Sequence, residues 1–165
     1  MTTKRQAGFT LFEGIVSIVI VATIGYVLSQ TFNIGVRNYF FGAEVALEDS
    51  KGRLAFERVT RDLGMIRSAS DIGTMSATQF TFTDTTGVFV NYQYNAVTDQ
   101  LTRAESGGTA RVLADTISSL TFSYLQSDAV SLATTASLAF IQLQLTITSS
   151  NVSAVYRTTV EPLGL

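Results

Sequence analysis

The chain has 165 residues, a formal net charge of −2, and neither histidine nor cysteine. That length fits one globular domain plus an anchor, and the missing residue types exclude Ser-His-Asp or Cys-His catalysis, zinc sites built on His or Cys, and any disulfide. From residue 71 onward three basic side chains (Arg103, Arg111, Arg157) stand against seven acidic ones (Asp71, Asp84, Asp99, Glu105, Asp115, Asp128, Glu161), the wrong sign for a surface that neutralises phosphates.

Lys4 and Arg5 lead into an apolar run over residues 9–32 whose only ionisable side chains are Glu13 and Tyr26. The run is about 24 residues, and about 20 suffice for a helix to cross the hydrocarbon core. Bases ahead of it place the leader in the cytoplasm and the remainder outside. A secretory signal peptide has an apolar core of about 7–15 residues and a small-residue cleavage site. This run is longer, carries Glu13, and ends on Tyr26-Val27-Leu28-Ser29-Gln30, a poor site. A carboxylate inside a membrane segment is costly and therefore functional by default; an uncleaved anchor with an incidental Glu13 is the alternative.

No proline interrupts residues 9–70, so one helix of about 60 residues, about 90 Å long, is expected. Gly25, Gly35 and Gly42 are its expected weak points. Residues 44–67 carry five bases and five acids, the pattern of a solvated, amphipathic helix. Phe56, Val59, Leu63 and Ile66 recur at helical spacing as a stripe that packs on a sheet. Arg53, Glu57, Arg58, Arg61, Asp62 and Arg67 surround it. Asp49 to Arg53 and Glu57 to Arg61 have the acid-first order that supports an exposed face.

Beyond residue 70 the texture becomes Thr, Ser and alternating apolar residues. Strands are expected at 79–84 and 88–94 around the turn Thr85-Thr86-Gly87, and at 100–105 and 109–113 around Ser106-Gly107-Gly108. Residues 120–126 put Leu120, Phe122 and Tyr124 on one face. Residues 138–148 alternate Ile141, Leu143, Leu145 and Ile147 with Gln142, Gln144 and Thr146, the clearest period-two signal. A last strand, 152–160, follows Ser149-Ser150-Asn151, and 126–137 reads as a loop. Asp71, Asp84, Asp99, Asp115 and Asp128 are scattered singly and read as turn or cap residues, not calcium ligands. No catalytic, cofactor-binding or metal-ligating residue is assigned.

The order Lys4-Arg5-Gln6-Ala7-Gly8, then Phe9-Thr10-Leu11-Phe12-Glu13-Gly14, resembles the prepilin leader of type IV pilins and type II secretion pseudopilins. The resemblance implies that a membrane peptidase cuts after Gly8 and methylates the amine of Phe9. It also implies that Glu13 pairs with the terminal amine of a neighbouring subunit. The implied fold is α+β and pilin-like: a long N-terminal helix, membrane-spanning in its first half, packed on a C-terminal antiparallel sheet. The implied segments are a leader (1–8), a transmembrane and filament-core helix (9–32), its amphipathic continuation (33–70) and a sheet domain (71–165).

Arg61-Asp62-Leu63 through Ile66-Arg67, Leu113-Ala114-Asp115, Leu120-Thr121-Phe122-Ser123-Tyr124 and the closing Arg157-Thr158-Thr159-Val160-Glu161-Pro162 are similar to minor pilins of the PilW and MshO type and to J-type pseudopilins. Those proteins often continue Pro-Arg-Asn; here Pro162 precedes Leu163-Gly164-Leu165. Many major pilins also have a C-terminal disulfide, impossible here, and a proline midway in the membrane half, where this chain has Gln30.

The implied function is that of a minor type IV pilin or pseudopilin, a non-enzymatic, low-abundance subunit of a pilus or type II secretion pseudopilus, in a tip or initiating complex. Its implied partners are other pilin or pseudopilin subunits, the prepilin peptidase and methylase, and the bacterial inner membrane, with the sheet domain in the periplasm before assembly. No cofactor is implied, and the acidic balance disfavours a DNA-uptake role. The alternative is a single-pass membrane-anchored binding protein. Tyr92, Tyr94 and Tyr124, if on the surface, would serve such a protein, although sheet packing explains them more simply.

Overall fold

An unbroken apolar run without proline has one low-energy way to satisfy its backbone in a dry environment, the α-helix. The computed structural model describes residues 10–163, so the expected cut between Gly8 and Phe9 lies outside them. Helix α1 spans Leu11–Gly64, and the chain divides into two compact units, Met1–Ala43 and Glu44–Leu165. Gly25, Gly35 and Gly42 lie within the helix without breaking it.

In the first unit the side chains of α1 are almost all exposed and predominantly apolar, and the helix is long and apolar enough to cross a membrane. Four of its polar side chains turn inward on their own backbone. Ser17 and Thr23 donate to the carbonyls of Glu13 and Val19 at 2.8 Å, Thr31 to that of Val27 at 3.0 Å, and Asn33 to that of Ser29 at 2.8 Å. Each bond reaches back four residues, so none of these groups needs water.

The second unit contains two antiparallel sheets where the sequence pattern suggests one. The first has the order β1 (Ile72–Met75), β2 (Gln79–Thr83), β3 (Phe89–Asn95), β4 (Gln100–Glu105), β5 (Arg111–Ala114). The second has the order β6 (Ile117–Leu125), β7 (Phe140–Ser149), β8 (Val152–Val160). Only Asp115 and Thr116 separate β5 from β6, and Thr116 sits at φ +62°. A β-branched residue in that region is an outlier, so the sequence carries no usual turn signal where the chain passes from one sheet to the other.

Along β7, Ile141, Leu143, Leu145 and Ile147 are buried, as their alternation predicts. Residues 126–137 form a connecting segment containing a short 3₁₀ turn, Thr135–Ser137.

The helical stripe covers this core. Val59, Leu63 and Ile66 are completely buried, while Phe56 is partly buried with its ring centroid 5.6 Å from that of Tyr156. Phe80 joins the sheets, lying 5.9 Å from Phe122 and 5.5 Å from Tyr124. Helix and second sheet approach so closely at Gly52 that a Cβ there would fall 1.6 Å from Cδ1 of Ile147.

The helix stops at Gly64, short of the expected residue 70. The N–H groups of Met65 and Ile66 bond the carbonyls of Asp62 and Leu63, tightening the last turn. Ile66 then bridges to Asp84, and the N–H of Thr85 bonds the carbonyl of Met65. Backbone pairing to the first sheet thus replaces the next helical turn.

Candidate functional site

The amino-terminal turn of α1 places Glu13. Thr10 Oγ1 accepts from the N–H of Glu13 at 3.3 Å, and the Thr10 carbonyl accepts from the N–H of Gly14 at 3.1 Å. Thr10 and Glu13 have the spacing of a capping box, which stabilises a helix start through Thr10 Oγ1. The Glu13 carboxylate lies in the first turn, where the helix dipole favours negative charge. Its side chain is exposed, as are Leu11 and Phe12 beside it. Gly8 and Phe9 precede the described residues, so the geometry around Glu13 is that of one carboxylate on an exposed apolar helix.

The sheet unit holds a second concentration of charge. Asp62, read from the sequence as part of a solvated face, is buried instead. One of its oxygens, Oδ2, accepts from the Tyr92 hydroxyl at 2.7 Å and from Arg103 Nε at 2.9 Å, with Arg103 Nη2 in ion-pair contact at 2.9 Å. Its Oδ1 lies 3.3 Å from Arg58 Nε. Arg103 also pairs with Glu105. Burial opposes the charge on Arg103, but Glu105, Tyr92 and Asp62 outweigh it and hold the guanidinium protonated.

The rest of the helix surface also pairs differently from expectation. Asp49 accepts from the Tyr156 hydroxyl instead of pairing with Arg53, and Glu57 pairs with Arg53, not Arg61. The i,i+4 pairs Arg53–Glu57, Arg58–Asp62 and Arg67–Asp71 all run base first.

Beside the buried pair opens a cleft of about 430 Å³ lined by Arg58, Arg103, Glu105, Gly108, Thr109, Arg111 and Leu113. Asp62 and Glu105 already neutralise Arg58 and Arg103. Guanidinium groups remain protonated at any ordinary pH, so they position charge and do not relay protons. Among the described residues no group of three or more acidic side chains could hold a metal ion. Asp84 and Asp128 do what their isolation suggests. Asp84 caps its turn through the N–H groups of Thr86 and Val88, Asp128 through those of Val130 and Ser131. Asp115, by contrast, lies 3.3 Å from Lys51.

Tyr92, Tyr94 and Tyr124, exposed in the binding-protein reading, are buried. Sheet packing, the simpler account of these residues, turns the rings inward. Each hydroxyl finds an internal acceptor: Asp62 for Tyr92, the Ile117 carbonyl for Tyr94, the Ser76 carbonyl for Tyr124.

Burial raises the Tyr92 phenol above the ordinary 10.0, reinforced by Asp62, and burial likewise raises Tyr124. Tyr156 is pushed up to about 12 by burial and by Asp49. In the unfolded chain these phenols lose their protons first, so above pH 10 the folded state retains more protons. Their stabilising contribution is therefore complete below pH 10 and lost as pH rises beyond it. An alkaline titration should show the phenolate absorbance of Tyr92, Tyr124 and Tyr156 rising together with loss of near-ultraviolet dichroism. Ionisation of these three tyrosines with the fold intact would contradict this.

No protein-family model matches the chain, and comparison with curated proteins likewise finds no match.

Proposed function

We propose that this chain is a minor type IV pilin or pseudopilin: a subunit cut between Gly8 and Phe9, methylated on Phe9, and built at low abundance into a pilus or type II secretion pseudopilus. The observation that carries the reading is Glu13. It is one carboxylate on the first turn of an exposed apolar helix, just beyond a basic leader and Gly8-Phe9. The antiparallel strands that follow the helix support the reading.

The work is physical assembly, not catalysis. Before assembly the apolar helix anchors the subunit in the bacterial inner membrane with the sheet unit in the periplasm. Cutting after Gly8 removes Lys4 and Arg5 and leaves an amine on Phe9. When helices of neighbouring subunits bundle, water leaves their surfaces, and an unpaired carboxylate or ammonium becomes expensive. Pairing Glu13 with a neighbour's Phe9 amine relieves both charges and selects the axial register. The alternative, an anchored binding protein, loses its proposed contacts because Tyr92, Tyr94 and Tyr124 are buried.

Gly8→Leu tests the processing step, since a small residue must fit the site before the cut. With a prepilin peptidase present, the variant should accumulate in the membrane as full-length precursor while the parent is shortened. Equal processing of both would refute the assignment of Gly8.

A further inference from the structure

The helix of the first unit carries a second charge that the pairing of Glu13 leaves unexplained. Between Glu13 and Arg37 the only ionisable side chain is Tyr26. On one continuous helix the 24-residue offset between the two charges corresponds to about 36 Å. The hydrocarbon core is about 30 Å thick, and about 40–45 Å with its headgroup layers. Both charges therefore reach headgroups at once, and a tilt of about 20° changes this little.

Tyr39, Phe40 and Phe41 follow Arg37 directly, 74%, 66% and 43% exposed, the first two rings edge to face at 5.8 Å. Such rings sit at headgroup level, where the ring body is covered and a phenol hydroxyl stays wet. Arg37 makes no ion pair among the described residues, and Asn33 one turn before it is bonded to the Ser29 carbonyl. The nearest acid in sequence is Glu44, about two turns further on.

We propose that Arg37 with Tyr39, Phe40 and Phe41 forms an interfacial girdle that docks on the phosphates and glycerol layer of the membrane's outer leaflet. The girdle sets the depth of the unassembled subunit so that Glu13 rests at the opposite headgroup boundary. Glu13 then stays hydrated before assembly and is dehydrated only when helices pack, which keeps insertion cheap and puts the electrostatic selection at the assembly step. This rests on the membrane insertion proposed above.

The chain has no tryptophan, so Tyr39→Trp and Ile24→Trp each supply a single reporter in the full-length protein. Each is reconstituted in phosphatidylcholine–phosphatidylglycerol vesicles containing lipids brominated at defined acyl positions. Ile24→Trp should be quenched most by the deepest bromines, and Tyr39→Trp most by those nearest the headgroup, about 15 Å from the bilayer centre. Adding Arg37→Glu to Tyr39→Trp should move the reporter outward by about one helical turn, about 5 Å.

If Ile24→Trp is not deeply quenched, membrane insertion itself fails. If Ile24→Trp is deep but Tyr39→Trp responds only to an aqueous quencher, or is as deep as Ile24→Trp, the girdle fails while insertion stands. A Tyr39→Trp profile that changes when the protein is diluted in lipid would mean that a second copy covers these rings, and would overturn the lipid assignment.

Discussion

Arg103→Ala is expected to destabilise the Glu44–Leu165 unit by about 3 kcal/mol, the low end of the range for breaking a buried ion pair. Arg103 meets Asp62 Oδ2 through a hydrogen bond from Nε and an ion-pair contact from Nη2, while Tyr92 and Arg58 remain as partial replacements. The loss arises mainly because Asp62 stays buried with less to balance its charge. Removing both charges should therefore do less harm than removing one. Asp62→Leu combined with Arg103→Met should recover most of the loss, and a double-mutant cycle in urea measures that coupling. An Arg103→Ala protein as stable as the parent would show that the pair contributes nothing to the fold.

Glu13→Val is expected to separate insertion from assembly. The variant makes the membrane segment more apolar, so it should insert at least as well as the parent. It should also be cut after Gly8, because recognition rests on the leader and the small residue. Incorporation should fail: a terminal ammonium left without its partner in a dry helix bundle costs about 3 kcal/mol, a loss of about a hundredfold at 1.4 kcal/mol per tenfold. Glu13→Asp should fall between parent and Glu13→Val, its carboxylate being one methylene short. Immunoblots of sheared filaments against membrane fractions measure the partition. If Glu13→Val assembled like the parent, Glu13 would be incidental.

The parts legible in the sequence were those written in local periodicity. The proline-free apolar run became α1, and the alternation around Ile141 to Ile147 became β7 with the expected face buried. Gly87 and Gly107 both adopt positive φ, +84° and +74°, at turns their neighbours announced. The hidden parts depend on contacts distant in sequence. Asp62 looks like any helix-surface acid until Arg103, 41 residues on, reaches it. Gly52 signals nothing until Ile147 packs against it. Strand β1 has Gly73 and Thr74 between Ile72 and Met75, no clear alternation, and an irregular register against β2.

At the candidate site the limit is different in kind. The Thr10 hydroxyl that accepts from the N–H of Glu13 helps the helix start, a signal not taken from the sequence. An amine–carboxylate pair between two subunits, however, is a property of two chains. One folded chain presents only the exposed carboxylate.

The intact mass of the protein recovered from cells that express a prepilin peptidase tests the central claim most directly. The account predicts a chain lacking residues 1–8, beginning at Phe9 and heavier by one methyl group on its terminal amine, with tandem fragmentation placing that methyl on Phe9. A mature protein that retains Lys4 and Arg5, or that begins anywhere other than Phe9, would contradict it.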